Sequence, residues 1–276
     1  MNRGLVCFLL LVLIIVGGAA LAAPDKVDLK YRPTVGQQTI YALNGEASDV
    51  SLAGSPLGVT GKVALDLASR ILAVGDKDFT QELTAKNIKA DLNNDVRTPP
   101  DSEPMKIKCG LDGTVLGIDA PNVAIEVFDT GGAPIPLLVV AFGTLQFKGE
   151  PVAVGDTWTT TGKVGLGGIG ELTLQSESRL VKLTDSQAEI ETRLQSKLPA
   201  FSVPNPFAPG TNISIAGGDI RMDNLKRTFD YQKGQLVSSS GSMTLSLKAD
   251  MGGGGDGIPV SITLKAELTP KPAADK

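Results

Sequence analysis

Few residues in this sequence could perform chemistry, and the first to consider is a glycine-rich run. Gly165-Leu166-Gly167-Gly168-Ile169-Gly170 matches the G-x-G-x-x-G pattern of dinucleotide-binding loops. Such a loop needs a helix N-terminus directly after the glycines, facing the pyrophosphate. The next segment, 171–180, instead alternates apolar and polar residues as a strand does. The run therefore predicts a hairpin turn and no dinucleotide site.

An acidic segment resembles the start of a calcium loop. In Asp91-Leu92-Asn93-Asn94-Asp95, side chains with oxygen atoms occupy alternate positions. A calcium loop of the EF-hand type needs glycine at its sixth position and glutamate at its twelfth, where this sequence has Val96 and Ser102. We therefore expect a polar turn at the end of a strand and no metal site.

Catalytic side chains are scarce, because the chain contains no histidine. Histidine is the commonest general base near neutral pH and a frequent zinc ligand. Glu189 and Glu191 share a strand face with Arg193, which would keep both carboxylates ionised instead of separating their pKa values. Cys109 has no histidine to activate it, so we interpret it as a small buried apolar residue. The sequence predicts a protein that is not an enzyme and binds no cofactor or metal. An enzyme is the third alternative and would need a cleft that holds two carboxylates from different strands.

Charge and the N-terminal segment restrict the partners and the location. With 26 Lys and Arg against 30 Asp and Glu, the chain lacks the basic excess that nucleic-acid binding needs. Residues 1–22 have the form of a secretory signal peptide, with Arg3, an apolar stretch over 5–16 and Ala20-Leu21-Ala22 around a cleavage site. We predict an exported bacterial protein, periplasmic or extracellular, that meets the membrane only transiently.

The elements that must position any site are mostly strands. Period-two alternation over 61–74 predicts a strand with one face turned to a core. Segment 78–92 changes phase, which a bulge near Lys86-Asn87 would explain. Segments 171–180 and 188–194 predict paired strands with a charged outer face.

The same order of elements occurs twice along the chain. Turns at 34–37 and 153–156 each precede a strand, the second of which carries Trp158 as a core residue. A Pro-rich loop separates the third and fourth strands of each copy, at 98–104 and at 199–209. We predict a tandem β duplication with these divisions: a first repeat with its connector at 23–148, a second repeat at 149–269 and a flexible tail at 270–276.

Each predicted copy is too open a sheet to bury its apolar face alone. We therefore expect a mostly β fold in which the two antiparallel sheets share one core, as a curved half-barrel or a sandwich. The connector at 134–147 predicts a short apolar helix, since Pro134 and Pro136 suit its start and Lys148-Gly149 its end. The last part of the connector also alternates, which leaves a strand as the alternative.

Two apolar segments are candidates for binding a hydrophobic ligand. One is the connector and the other is the second Pro-rich loop, where apolar side chains are less expected. The loop residues either fold back on the core or form the rim of a binding surface. The candidates are Leu137, Leu138 and Phe142 in the connector and Phe201, Val203 and Phe207 in the loop.

The strand start Val154-Gly155-Asp156-Thr157-Trp158 is echoed at Val35-Gly36-Gln37. With the signal segment and the duplication, it resembles a group of exported bacterial β-rich proteins that carry a V-G-D-x-W strand start. A curved sheet with an apolar connector is similar, more distantly, to the periplasmic lipoprotein carriers of the LolA and LppX kind, whose open half-barrel holds acyl chains. This resemblance implies a lipid or a lipidated protein as partner and assigns no role to individual residues.

Two functions from different classes follow from these observations. The leading hypothesis is a non-enzymatic exported β protein that binds a hydrophobic ligand or a lipidated partner between its two halves. The alternative is a structural or protein-interaction module of the cell envelope whose core is full. Extra interior volume behind small residues such as Ala64 and Ala68 would favour the first, and a tightly packed interior the second.

Overall fold

The computed structural model describes residues 25–58, 60–119, 135–166, 170–204, 212–250 and 257–272. In these residues the chain forms fourteen strands and one helix, α1 (Ile135–Gly143). The strands are β1 (Gln38–Leu52), β2 (Ser55–Pro56), β3 (Gly61–Val74), β4 (Asp78–Leu92), β5 (Asp95–Arg97), β6 (Met105–Gly110), β7 (Val115–Asp119), β8 (Thr157–Leu166), β9 (Gly170–Leu183), β10 (Gln187–Leu198), β11 (Phe201–Pro204), β12 (Asn212–Asp230), β13 (Gln235–Asp250) and β14 (Ile258–Pro270).

All of these strands belong to one antiparallel sheet that curls into a nearly closed barrel. Eleven strands follow one another in the order β7-β6-β4-β3-β1-β14-β13-β12-β10-β9-β8, with β2, β5 and β11 paired beside this path. The pairing of β1 with β14 joins the first and second halves of the chain. The edge strands β7 and β8 approach each other without pairing. The predicted mostly β fold with a shared core is confirmed, as a single curled sheet.

The two edge strands run in the same direction, which explains the position of α1. Eleven strands in antiparallel succession begin and end with strands that point the same way. The chain therefore leaves β7 at one end of the barrel and must return to the other end, here called the closed end, before β8 begins. The helix makes part of this return inside the barrel, among the side chains of the inner face of the sheet.

Most buried side chains of the described strands are apolar and most exposed ones are polar. On β10 every second residue from Ala188 to Leu198 is buried, and the residues between them, Glu189 and Glu191 among them, are exposed. Transmembrane barrels alternate in the opposite sense, with apolar side chains outside. The described strands therefore keep most of their apolar side chains for the interior of the barrel.

Two segments, 25–37 and 144–156, cover the closed end of the barrel. Both attach to the hairpin between β6 and β7: the Tyr31 N–H donates to the Leu111 carbonyl and the Phe147 N–H to the Asp112 carbonyl, each at 2.8 Å. Their side chains form a second core cluster around Trp158. This cluster seals the closed end with apolar and aromatic packing.

The turns before β1 and β8 have the same hydrogen bonds. The Gly36 N–H donates to the Ile71 carbonyl at 2.9 Å, and the Gly155 N–H donates to the Leu180 carbonyl at 2.8 Å. In each turn a side-chain oxygen accepts a backbone N–H three residues earlier, at 3.0 Å in both: Gln37 from Thr34 and Asp156 from Ala153. The division into repeats at 23–148 and 149–269 stays a prediction, and these matching turns are what a duplication would leave.

Several local predictions are confirmed. The predicted strand at 61–74 is β3, and the phase change in β4 is a bulge at which Asn87 has a φ of +52°. Strands β9 and β10 pair as the alternation indicated. The strands on either side of the glycine-rich run pair as a hairpin would, with Leu166 at the end of β8 opposite Gly170 at the start of β9, and residues 167–169 between them lie outside the described residues.

The predicted termini have different outcomes. The signal peptide at 1–22 lies outside the described residues. In the predicted tail at 270–276, Pro270 ends β14 and the Lys271 N–H donates to the Ile40 carbonyl at 2.7 Å. The sheet therefore continues into the first residues of this segment.

The connector forms a helix, but this helix ends at Gly143 and not near Lys148-Gly149. The next helical hydrogen bond would join the Leu145 N–H to the Ala141 carbonyl. Instead, the Leu145 N–H donates to the Tyr31 hydroxyl at 3.0 Å, and the Ala141 carbonyl accepts from the Arg227 guanidinium at 2.6 Å. The N–H and the carbonyl that would form the next helical hydrogen bond are thus both bonded to residues distant in sequence.

A pair of glycine substitutions tests how tightly the segment after α1 is seated. Gly113 and Gly36 both have a φ near +80° (+83° and +81°), so alanine strains the backbone at either position. At Gly113 a Cβ would also overlap the Leu145 carbonyl, whereas at Gly36 it would meet nothing within 4 Å. We expect Gly113→Ala to lower the free energy of unfolding by about 2 kcal/mol more than Gly36→Ala in urea denaturation. Equal losses would contradict this packing.

Candidate functional site: an interior cavity beside the helix

The helix α1 is apolar on every side and enclosed by the sheet. Each residue from 137 to 142 is at most 5% exposed. Strand side chains can fill an eight-stranded barrel, whereas wider barrels leave space inside, and an eleven-stranded barrel has room for a central helix. Thus α1 occupies the volume that an eleven-stranded sheet would otherwise leave open.

The filling is incomplete on one side of α1. A cavity of about 70 Å³ lies between the helix and the inner face of the sheet near the closed end. Its apolar lining comes from strands of both halves of the chain and from the helix. These residues are Leu67, Ile71, Phe79, Leu83, Val139, Leu236 and Leu268.

Uncharged polar side chains line another part of the cavity. Gln37, Thr39, Ser69 and Gln81 are each half-buried there, and the Ser69 hydroxyl lies 3.5 Å from the Gln81 side-chain oxygen. The lining contains no Asp, Glu, Lys or Arg. Such a surface suits an apolar molecule that carries a few neutral hydrogen-bonding groups.

The titratable groups in the lining are held in their neutral forms. Burial raises the pKa of Tyr41 to about 12, and its hydroxyl donates to the Leu236 carbonyl at 3.2 Å. Burial also raises the pKa of the Cys109 thiol to about 12. Burial raises the pKa of Tyr31, whose hydroxyl accepts the Leu145 N–H. None of these groups is activated as a nucleophile or base at neutral pH.

Arg227 lies inside the barrel, on the inner face of β12. It is 4% exposed, and its guanidinium donates to the carbonyl of Ala141 at the C-terminal end of α1. Burial lowers the pKa of Arg227 to about 10, which leaves the side chain charged at neutral pH. A cation at this end of a helix is favourable, because the helix dipole places partial negative charge there.

Four aromatic rings pack together where the closed end meets the cavity. Tyr31, which lines the cavity, lies 5.6 Å from Phe79, 5.5 Å from Phe147 and 5.4 Å from Phe229 between ring centroids. The neighbouring Trp158 indole N–H donates to the Gln146 carbonyl at 3.0 Å. The only Trp of the chain is therefore bonded to the segment that directly follows α1, as a natural reporter of its position.

The structure places the predicted connector residues in the core and not on the cavity. Leu138 and Phe142 are completely buried, and Leu137 is 5% exposed in the same cluster. The helix lines the cavity with Val139 and Gly143 instead. A binding role for these residues stays a prediction.

Of the predicted loop residues, Phe201 is not among those that line the cavity. Phe201 is half-buried at the start of β11, where it packs against Ile213 and Ile215 and also against the main core. The backbone of Val203 pairs with Ile213 in the same short strand. Phe207 lies outside the described residues. Of these residues, Phe201 folds back on the core, as one of the two sequence interpretations had it.

Sequence reasoning missed the residues that do line the cavity. Thr39, Ser69 and Gln81 are polar residues at inward positions of amphipathic strands, where the pattern calls for apolar ones. That mismatch was the available signal. Ala64 and Ala68 alternate with the buried Leu65 and Leu67 and lie on the outer face of the sheet, so they do not line this cavity.

Other kinds of site are not found in the described part of the chain. No group of three or more Cys, Asp or Glu residues there could hold a metal ion. No helix of the described residues has the length and apolar character needed to cross a membrane.

Two solved structures are among those similar to this chain. One is an outer membrane channel from Pseudomonas putida F1, with 9% identity, a TM-score of 0.25, and coverage of 88% of this chain and 98% of the channel. The other is the β domain of the Bordetella autotransporter BrkA, with 11% identity, a TM-score of 0.21, and coverage of 84% and 98%. No protein-family model matches the sequence, and no curated protein matches it significantly. At these TM-scores neither likeness bears on the function of the chain.

The Cys109 thiol offers a test of the cavity wall. Burial raises the pKa of this thiol to about 12, so almost none of it is ionised near pH 8. We expect iodoacetamide to modify the native mature protein far more slowly than the urea-unfolded protein, as followed by mass spectrometry. Equal rates would show that this strand position is open to solvent.

Proposed function

We propose that this chain is an exported, non-enzymatic envelope protein that binds a small hydrophobic molecule, or the lipid of a lipidated partner, inside its barrel. The cavity beside α1 carries this proposal, because its lining combines apolar side chains with neutral polar ones. The signal-like segment at 1–22 and the polar outer face support an exported protein in contact with water. The neutral state of Tyr41 and Cys109 supports binding over catalysis.

The size of the cavity sets how a ligand would be accommodated. About 70 Å³ is room for a few water molecules, whereas pockets for drug-sized ligands have about 300–1,000 Å³. A larger ligand must therefore take volume now filled by α1. A nine-residue helix is roughly 13 Å long, which is comparable to a medium acyl chain. In this proposal α1 fills the binding space until a ligand moves it.

The attachment of α1 makes such a movement feasible. Apolar packing holds the helix inside the barrel. Among the described residues, one side-chain hydrogen bond joins the sheet to α1, and Arg227 donates it. Ligand and helix side chains are both apolar, so exchanging one for the other changes little buried apolar area. The cost of displacing α1 is offset by the contacts that the ligand makes in its place.

A structural or interaction module without a ligand is the second candidate. The complete burial of Leu138 and Phe142 favours it, because a core this well filled needs no ligand for stability. In that case the cavity is a packing defect of the kind that occurs a few times per domain. The two functions differ in whether the mature protein takes up an apolar molecule.

Native mass spectrometry tests the proposal. The sample is the mature protein, which starts at Ala23 and is purified from a bacterial envelope. We expect a stoichiometric adduct that organic extraction removes, or uptake of the neutral fluorescent probe N-phenyl-1-naphthylamine by the extracted protein. Displacement of α1 would also change the emission of Trp158. If the protein has the mass of the chain alone and takes up no probe, the proposal is wrong, and the module without a ligand is preferred.

A matched pair of leucines on β3 tests where the ligand lies. Leu67 lines the cavity and Leu65 does not, although both face inwards and are 3% and 4% exposed. We expect Leu67→Phe to fill the cavity, keep the melting temperature and reduce probe uptake several-fold. Leu65→Phe overpacks the core and should lower stability by about 1–3 kcal/mol.

Probe uptake per folded molecule is the deciding measurement for this pair. It should be normal in Leu65→Phe at a temperature where that variant is folded, as judged by circular dichroism. Uptake that is unchanged in Leu67→Phe would place the probe elsewhere.

A further inference from the structure

The interior carries a positive charge that no described acidic side chain neutralises. Arg227 lies on the inner face of β12 between Leu225 and Phe229, both completely buried. Its guanidinium donates to the Ala141 carbonyl, but its Nε has no hydrogen-bond partner. None of the ion pairs of the described residues involves Arg227. Burying a cation in this way is costly unless something pairs with it.

The residue opposite Arg227 on the neighbouring strand also has a side-chain atom without a hydrogen-bond partner. Ser239 on β13 is the direct cross-strand partner of Arg227, is completely buried, and has a hydroxyl without a hydrogen-bond partner. The Arg227 Nε and the Ser239 Oγ are the two unpartnered buried side-chain atoms found in the described part of the chain. Buried polar groups are normally paired. Two adjacent exceptions on one face indicate a shared missing partner that accepts hydrogen bonds.

These two residues adjoin the wall of the interior cavity. Ser239 pairs with Leu268, and Phe229 pairs with Leu236, and both leucines line the cavity. Tyr31, which also lines it, packs its ring on Phe229. A molecule whose apolar part lies in the cavity can therefore bring one end to Arg227 and Ser239.

We infer that the interior ligand is an amphiphile with a single carboxylate, of the fatty-acid type. Its carboxylate accepts hydrogen bonds from the Arg227 Nε and the Ser239 hydroxyl, and its chain lies against the apolar lining of the cavity. A carboxylate fits because charge-assisted hydrogen bonds are about twice as strong as neutral ones. The lining has no charged side chain, so a second charge on the ligand would be unpaired. This inference rests on the proposed ligand-binding function.

Decanoate and 1-decanol, which share one chain and differ in head group, test the inference on the full mature protein. Each displaces N-phenyl-1-naphthylamine in a fluorescence titration near neutral pH. We expect decanoate to bind about tenfold more tightly, as one charge-assisted interaction would give. Equal affinity, or tighter binding of the alcohol, overturns the carboxylate assignment and leaves the proposed function intact. No probe uptake and no binding of either compound overturns the proposed function, and the inference with it.

Variants of Arg227 and Ser239 test whether these two residues cause the preference for decanoate over decanol. Ser239→Ala removes the hydroxyl without adding volume and should weaken decanoate binding several-fold while leaving decanol unchanged. Ser240→Ala, on the outer face of the same strand, is the matched control and should change neither. Arg227→Met should abolish the preference for the acid. If Arg227→Met unfolds because the contact with α1 is lost, the comparison of Ser239→Ala with Ser240→Ala decides. An unchanged preference for decanoate in Ser239→Ala would show that the carboxylate does not bind at this site.

Discussion

The inward side chains of eleven strands enclose more space than they can fill, and α1 occupies the remainder. An empty interior would forfeit dispersion contacts around its whole lining, so a sheet this wide needs either a filler or a ligand. Six consecutive apolar residues, 137–142, meet that need. The connectivity agrees with this, because eleven antiparallel strands leave the edge strands β7 and β8 pointing the same way, and the chain returns through the interior by way of α1 to begin β8.

A helix end inside an apolar barrel creates a second requirement, since its last carbonyl groups have no helical partner. The Thr144 hydroxyl bonds the Val140 carbonyl at 2.5 Å, and Arg227 bonds the Ala141 carbonyl. Tyr31 takes the Leu145 N–H that would have continued the helix. The closed end is thus built around the helix terminus, and the buried charge of Arg227 follows from the same need.

Strand positions could be predicted from the sequence because period-two alternation reflects burial on one face, as at 61–74 and 188–194. The bulge at Asn87 was visible as a change of phase. The end of α1 was not, because it depends on Tyr31 and Arg227, which are remote in sequence. The cavity was missed for a related reason: it is unfilled volume among residues of six strands and a helix, and no local sequence pattern indicates unfilled volume.

The two roles of Arg227 are compatible because a guanidinium has more donors than the helix uses. It offers five N–H groups in a fixed fork, and the carbonyl of Ala141 takes one. The helix dipole supplies only about half a negative charge, so part of the cation stays uncompensated in the apolar interior. A carboxylate would supply the rest and would raise the pKa of Arg227 back towards its usual value. The same charge that ends α1 can therefore favour an acid over an alcohol, and this selectivity needs no rearrangement of the sheet.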